Sequence, residues 1–140
     1  MREPSLHKVF EPEMIQVGII VRDLEKAIKD YSSLLSIGPF QTMYVQSVGV
    51  RAAVAALGPI EVELIQPVGD DNPMQKFLGD SEARIGHLGF YVKDMDAEVA
   101  RFKELDVGVI QRVRGLGVES TVLNLKNRVG IDFELLQRYT

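Results

Sequence analysis

The sequence contains no cysteine, and only two histidines occur in its 140 residues. The missing cysteine excludes disulfides, thiolate nucleophiles and cysteine-type zinc sites together. Positive charge is not in excess either: 16 Lys and Arg face 20 Asp and Glu, a net charge of −4. That balance leaves no basic face for nucleic acid. No apolar run is long enough to span a membrane. Residues 1–13 carry charges and two prolines without an apolar h-region, so they do not read as a signal peptide. The expectation is a cytoplasmic protein with no nucleic-acid or membrane partner. At 46% hydrophobic and 26% charged, the remaining composition is that of a globular chain able to bury a core.

What the sequence does contain is a repeat. Ile15-Gln16-Val17-Gly18-Ile19-Ile20-Val21-Arg22-Asp23 recurs 71 residues later as Gly86-His87-Leu88-Gly89-Phe90-Tyr91-Val92-Lys93-Asp94. The same offset lays Val62-Glu63-Leu64-Ile65-Gln66 over Phe133-Glu134-Leu135-Leu136-Gln137. An offset kept at both ends of a fifty-residue unit marks a duplicated module.

Local patterns give each module its elements. Residues 14–22 read as a strand, and Asp23 has N-cap chemistry for a helix carrying Leu24, Ala27, Ile28, Tyr31 and Leu34 at helical spacing. Gly38-Pro39 ends that helix, and three short strands follow, over 40–46, 49–57 and 60–66. The second module repeats the plan: a strand over 86–93, a helix opened by Asp94, and strands over 107–114, 119–125 and 130–137. A short helix at 74–78, with Asn72 as cap and Pro73 in its first turn, lies between the modules. The expected fold is α+β, with two tandem βαβββ modules forming a curved mixed β-sheet cavity and the helices outside. Residues 1–13 are an N-terminal arm and 14–140 a single domain, with module one at 14–67, a linker at 68–85 and module two at 86–138.

Alternation along strands sorts the side chains. Ile131, Phe133 and Leu135 must cover the helix, so Asp132, Glu134 and Leu136 face the concave side. The equivalent strand turns Glu61 and Glu63 inward, and the first strands do the same with Gln16 and His87. Pairing of the modules about a pseudo-twofold would bring Gln16, Glu63, His87 and Glu134 to one cavity. They offer a divalent cation one nitrogen and three oxygens. Glu61 shares the face of Glu63 and is either the ligand in its place or a free acid/base beside it.

This plan resembles the vicinal oxygen chelate superfamily, which includes glyoxalase I, methylmalonyl-CoA epimerase, extradiol dioxygenases and bleomycin-resistance proteins. "VRDLEKAIKDYSSLLSIGPF" at 21–40, "ELIQPVGDDNPMQKFL" at 63–78, "GHLGFYVKDMDA" at 86–97 and "GIDFELLQ" at 130–137 resemble the epimerase-like branch. The first strand carries Gln16 where those epimerases carry histidine, which is similar instead to one branch of glyoxalase I. The loop Gln46-Ser47-Val48-Gly49 lacks the carboxylate that epimerases tend to carry there.

The resemblance implies metal-dependent proton transfer next to a carbonyl through an enolate, in an epimerase-like isomerase. The alternatives are a glyoxalase I-type lyase acting on a thiol–ketoaldehyde adduct, or a non-catalytic small-molecule-binding protein. By the same resemblance the metal ligands are Gln16, Glu63, His87 and Glu134, and the catalytic carboxylates are Glu134 with Glu63 or Glu61. The cation is Co, Zn, Ni, Mn, Fe or Mg, and the partner a small molecule such as an acyl-CoA. Curved open sheets leave edges that pair between chains, so a homodimer is expected. Met43, Tyr44, Tyr91 and Leu123 are expected as cavity walls. Lys76, Arg112, Arg114 and Lys126 are candidates to meet an anionic tail.

Overall fold

The computed structural model describes residues 12–115 and 117–139. The expected arm at 1–13 lies outside the described residues except for Pro12 and Glu13, as do His7 and Leu116. The first half comprises β1 (Met14–Val21), α1 (Leu24–Leu35), β2 (Gln41–Val45), β3 (Val50–Leu57) and β4 (Ile60–Pro67). Helix α2 (Pro73–Leu78) connects it to β5 (Ala83–Tyr91), α3 (Met95–Glu104), β6 (Val109–Gly115), β7 (Val118–Leu123), α4 (Lys126–Val129) and β8 (Asp132–Arg138). Among the described residues, no helix is long and apolar enough to cross a membrane.

The strands form one eight-stranded mixed sheet in the order β2-β3-β4-β1-β5-β8-β7-β6. The repeat is visible in that order, since each half contributes four strands and presents its first strand to the other half. Within each half the first and last strands run parallel, β1 with β4 and β5 with β8. The halves join where β1 meets β5 antiparallel. Strands β2 and β6 stand at the ends of the sheet.

Each half buries its own core between sheet and helix. Val21, Leu24, Ala53, Val62 and Leu64 pack under α1 with Ala27, Ile28 and Tyr31. Val92, Met95, Val107, Leu123 and Leu135 pack under α3 with Val99 and Phe102. Val21 and Val92, Leu24 and Met95, and Leu64 and Leu135 keep the spacing of the repeat. The repeat also sets how the helices start. Asp23 accepts from Lys26 N at 3.1 Å, and Asp94 accepts from Ala97 N at 3.0 Å. A second acceptor arrives from the last strand of each half: Gln66 Oε1 takes Leu24 N–H at 2.7 Å, and Gln137 Oε1 takes Met95 N–H at 2.8 Å. Two of the free N–H groups at each helix start are thus satisfied, and the helix is tied to the strand it covers.

Three expectations shift. The strand expected from residue 86 begins at Ala83, because β1 continues past Gly18 and offers Ile19, Ile20 and Val21 as partners for Ile85, Arg84 and Ala83. Between the strands expected over 119–125 and 130–137, Lys126–Val129 forms the single helical turn α4, closed by Gly130 in the left-handed region at φ +83°. The stretch after β2 coils into a 3-10 turn over Gln46–Val48, ended by Gly49 at φ +64°.

Candidate active site

The concave side of the sheet encloses a cavity of about 540 Å³. At the joint between the halves, Gln16, Glu63, His87 and Glu134 come together within one chain. Gln16 Oε1 lies 2.7 Å from His87 Nε2, Glu63 Oε1 lies 3.5 Å from the same nitrogen, and Glu134 Oε2 lies 3.0 Å from His87 Nδ1. Gln16 and His87 are 4% and 6% exposed. The imidazole is the hub, with a carboxylate from each half at either edge of its ring.

Backbone register explains the convergence. His87 stands opposite Gly18, and Gln16 opposite Gly89. A Cβ on Gly18 would lie 2.0–2.6 Å from three atoms of the His87 ring. A Cβ on Gly89 would lie 3.2 Å from Gln16 Oε1 and 2.7 Å from Leu136 Cδ1. Each repeat's glycine therefore clears the space that the other repeat's polar side chain occupies. This is why Gly18 and Gly89 occupy matching positions in the repeat.

Burial and charge set the ionisation of the cluster. Burial pushes the Glu63 carboxyl up to about 7, reinforced by the neighbouring Glu134 and Glu61 charges and only partly opposed by His87. Burial also acts against protonated His87, but Glu134, Glu63 and Asp132 outweigh it and raise the imidazole above its ordinary value. For Glu134, burial acts upward, yet His87 and a hydrogen bond from Ser120 hold it below the usual carboxylate range. Two carboxylates on one ring are driven in opposite directions.

The donor set suits a divalent cation, with one imidazole nitrogen and three oxygens from groups that would be costly to bury uncompensated. Gln16 Oε1 and Glu63 Oε1 both stand at His87 Nε2. Glu134 faces the other edge. Among the described residues, no three His, Asp or Glu are gathered as a formed metal centre. The side chains instead form a hydrogen-bonded cluster with the right donors.

Glu61 faces the cavity beside this cluster rather than within it. Its Oε1 accepts from Gln16 Nε2 and from Tyr91 Oη, each at 2.7 Å. Of the expected walls, Met43 and Tyr91 line the cavity. Tyr44 does not, being 57% exposed on the other face of β2, and Leu123 does not, being 1% exposed in the core under α3. Period-two alternation accounts for both, since Met43 and Val122 take the inward positions. Lys126 lines the cavity, 3.8 Å from Asp132, whereas Arg112 and Arg114 pair with Glu119 outside it. Lys76 is not among the lining residues.

Sequence reasoning missed Ser120, which lines the cavity and donates to Glu134 Oε1 at 3.1 Å. Alternation on β7 could have found it, because Ser120 is the polar residue between the inward Val118 and Val122. It also missed the role of Arg138, whose guanidinium lies 4.1 Å from the centre of the Tyr91 ring at the cavity lining.

Residues 15–121 match the profile of the glyoxalase/bleomycin resistance protein/dioxygenase superfamily, and the chain belongs to that superfamily. Within it, the chain is similar to methylmalonyl-CoA epimerases among other members. The human mitochondrial methylmalonyl-CoA epimerase is 30% identical over 104 residues, covering 74% of this chain and 56% of that protein. The bovine one is 28% identical over 102 residues, covering 72% and 58%. The chain thus matches little more than half the length of these relatives. Among solved structures, methylmalonyl-CoA epimerase from Mycobacterium tuberculosis superposes with a TM-score of 0.82 at 25% identity, over 89% of this chain and 87% of that one. The Streptomyces coelicolor enzyme in complex with 2-nitronate-propionyl-CoA gives 0.83 at 25% identity, over 92% and 99%.

Proposed function

We propose that the protein is a metal-dependent isomerase of the methylmalonyl-CoA epimerase type, moving a proton next to the carbonyl of an acyl-CoA ester. The observation that carries this reading is the pair of partly buried carboxylates, Glu63 and Glu134, flanking His87 in one cavity. The similarity to epimerases supports the same chemistry.

In this reading Gln16, Glu63, His87 and Glu134 hold a divalent cation (Co, Zn, Ni, Mn, Fe or Mg). Bound there, it contributes Lewis-acid stabilisation of the charge that develops on the substrate's carbonyl oxygen. Glu134 accepts the α-proton, and the C–H electron pair moves into the carbonyl to give an enolate. Ser120 holds the Glu134 carboxylate in place by its hydrogen bond. Glu63, reaching the cluster from the other half, returns a proton to the opposite face of the same carbon, which inverts it. Met43, Val50 and Ile65 supply an apolar wall that keeps water from the enolate. Lys126 and Arg138, at the lining, offer positive charge to the anionic parts of the ester.

A second reading, a glyoxalase I-type lyase acting on a thiol–ketoaldehyde adduct, rests on Gln16 standing where epimerases carry histidine. A homodimer and a cytoplasmic location are part of the proposal. The test is exchange of the α-hydrogen of methylmalonyl-CoA in deuterated water, followed by NMR with cobalt(II) present. Exchange is expected with the wild type and at least about a hundredfold less with Glu134→Gln. Full exchange by that variant would remove Glu134 from the mechanism.

A further inference from the structure

Glu61 lies one hydrogen bond away from the cluster, and its contacts give it a role different from that of the other carboxylates. It stands directly across from Gln16 in the parallel β1–β4 pairing. Its Oε1 accepts from both Gln16 Nε2 and Tyr91 Oη at 2.7 Å. A carboxylate only accepts, so it can take the NH2 end of the Gln16 amide and not the oxygen end. The other end of the amide must then face His87, and Gln16 Oε1 is indeed 2.7 Å from His87 Nε2. A reversed amide would set its oxygen against the Glu61 carboxylate and lose the bond between them.

Tyr91 gives Glu61 Oε1 its second donor. It is 3% exposed, and burial with the Glu61 hydrogen bond raises its hydroxyl above the ordinary value, keeping it a donor. The Arg138 guanidinium stacks over its ring. Gly89 leaves the space the amide fills.

We propose that Glu61 and Tyr91 form a positioning pair that fixes the Gln16 amide with its oxygen toward the site, and that Glu61 is not a proton carrier. The inference deepens the metal-site reading above and rests on it for its effect on a cation.

Two measurements test it. Calorimetric titration with cobalt(II) compares Glu61→Gln and Tyr91→Phe, each nearly isosteric, in the wild-type and Gln16→Ala backgrounds. Glu61→Gln is expected to weaken binding about tenfold or more and Tyr91→Phe less, with both effects absent once Gln16 is alanine. Equal weakening by Glu61→Gln in both backgrounds would mean that Glu61 touches the cation itself and would overturn the inference. In metal-free protein, NMR follows hydrogen exchange of the Gln16 side-chain NH2, which is expected to speed up about tenfold or more in Glu61→Gln. An unchanged rate also overturns the positioning role. If the wild type binds no cobalt(II), the metal reading fails, and the NH2 exchange alone decides whether Glu61 positions Gln16.

Discussion

A methyl group on Gly18 would fall 2.0 Å from His87 Cε1, closer than any real side-chain contact, with the rest of the ring immediately behind it. Gly18→Ala therefore has to push the imidazole out of the cluster. A destabilisation of about 1–3 kcal/mol is expected in urea unfolding, together with loss of cobalt(II) binding. The ionisations next to that ring set a second residue-scale prediction, for metal-free protein. Glu63 has a folded value of about 7, above its unfolded one, so it contributes stability at low pH that is lost as pH rises through about 7. His87, also raised, loses its contribution in the same direction. Glu134, lowered, loses its contribution only on acidification below the usual carboxylate range. The melting temperature should thus fall by about 5 °C or more between pH 5.5 and 8, and Glu63→Gln should flatten most of that fall. The polar members of the cluster were legible because alternation and repeat register act on the same positions. The partners of Glu61 and Glu134 were not, since Tyr91 and Ser120 reach them across strands whose pairing the sequence does not state.

At the scale of elements, the two helix starts show why the repeat retains Gln66 and Gln137. Neither faces the cavity cluster; each accepts the first N–H of the helix that covers its own strand, and Gln137 also donates to Lys93 O at 3.0 Å. Gln137→Ala should cost about 1 kcal/mol in chemical denaturation, with Gln66→Ala similar, and neither should move cobalt(II) affinity. The strand–helix order could be read because apolar spacing, Asp caps and Gly-Pro breaks agree within each element. Ends were less legible where a neighbour decides them. β5 gains three residues because β1 is there to pair with them, and Lys126–Val129 closes into a turn of helix through Gly130.

For the whole molecule, the joint between β1 and β5 does two things at once. It continues the sheet from one half to the other, and it carries Gln16 and His87 to each other across a 71-residue separation. The repeat signalled that two cups exist, but a sequence of inward residues does not say whether they meet within one chain or between two. In the structure all four converging side chains meet within a single chain. Glu63 and Glu134 reach opposite edges of the His87 ring from different halves of the chain, and the proposed inversion assigns them to the two faces of one substrate carbon. The most direct measurement supplies a single epimer of methylmalonyl-CoA to cobalt(II)-loaded protein in deuterated water and follows configuration and deuterium content together. The account predicts conversion to an equal mixture of epimers with a solvent deuteron at the inverted carbon, and no conversion by Glu134→Gln. Retention of configuration and of the α-hydrogen by folded, cobalt(II)-loaded wild-type protein would contradict it.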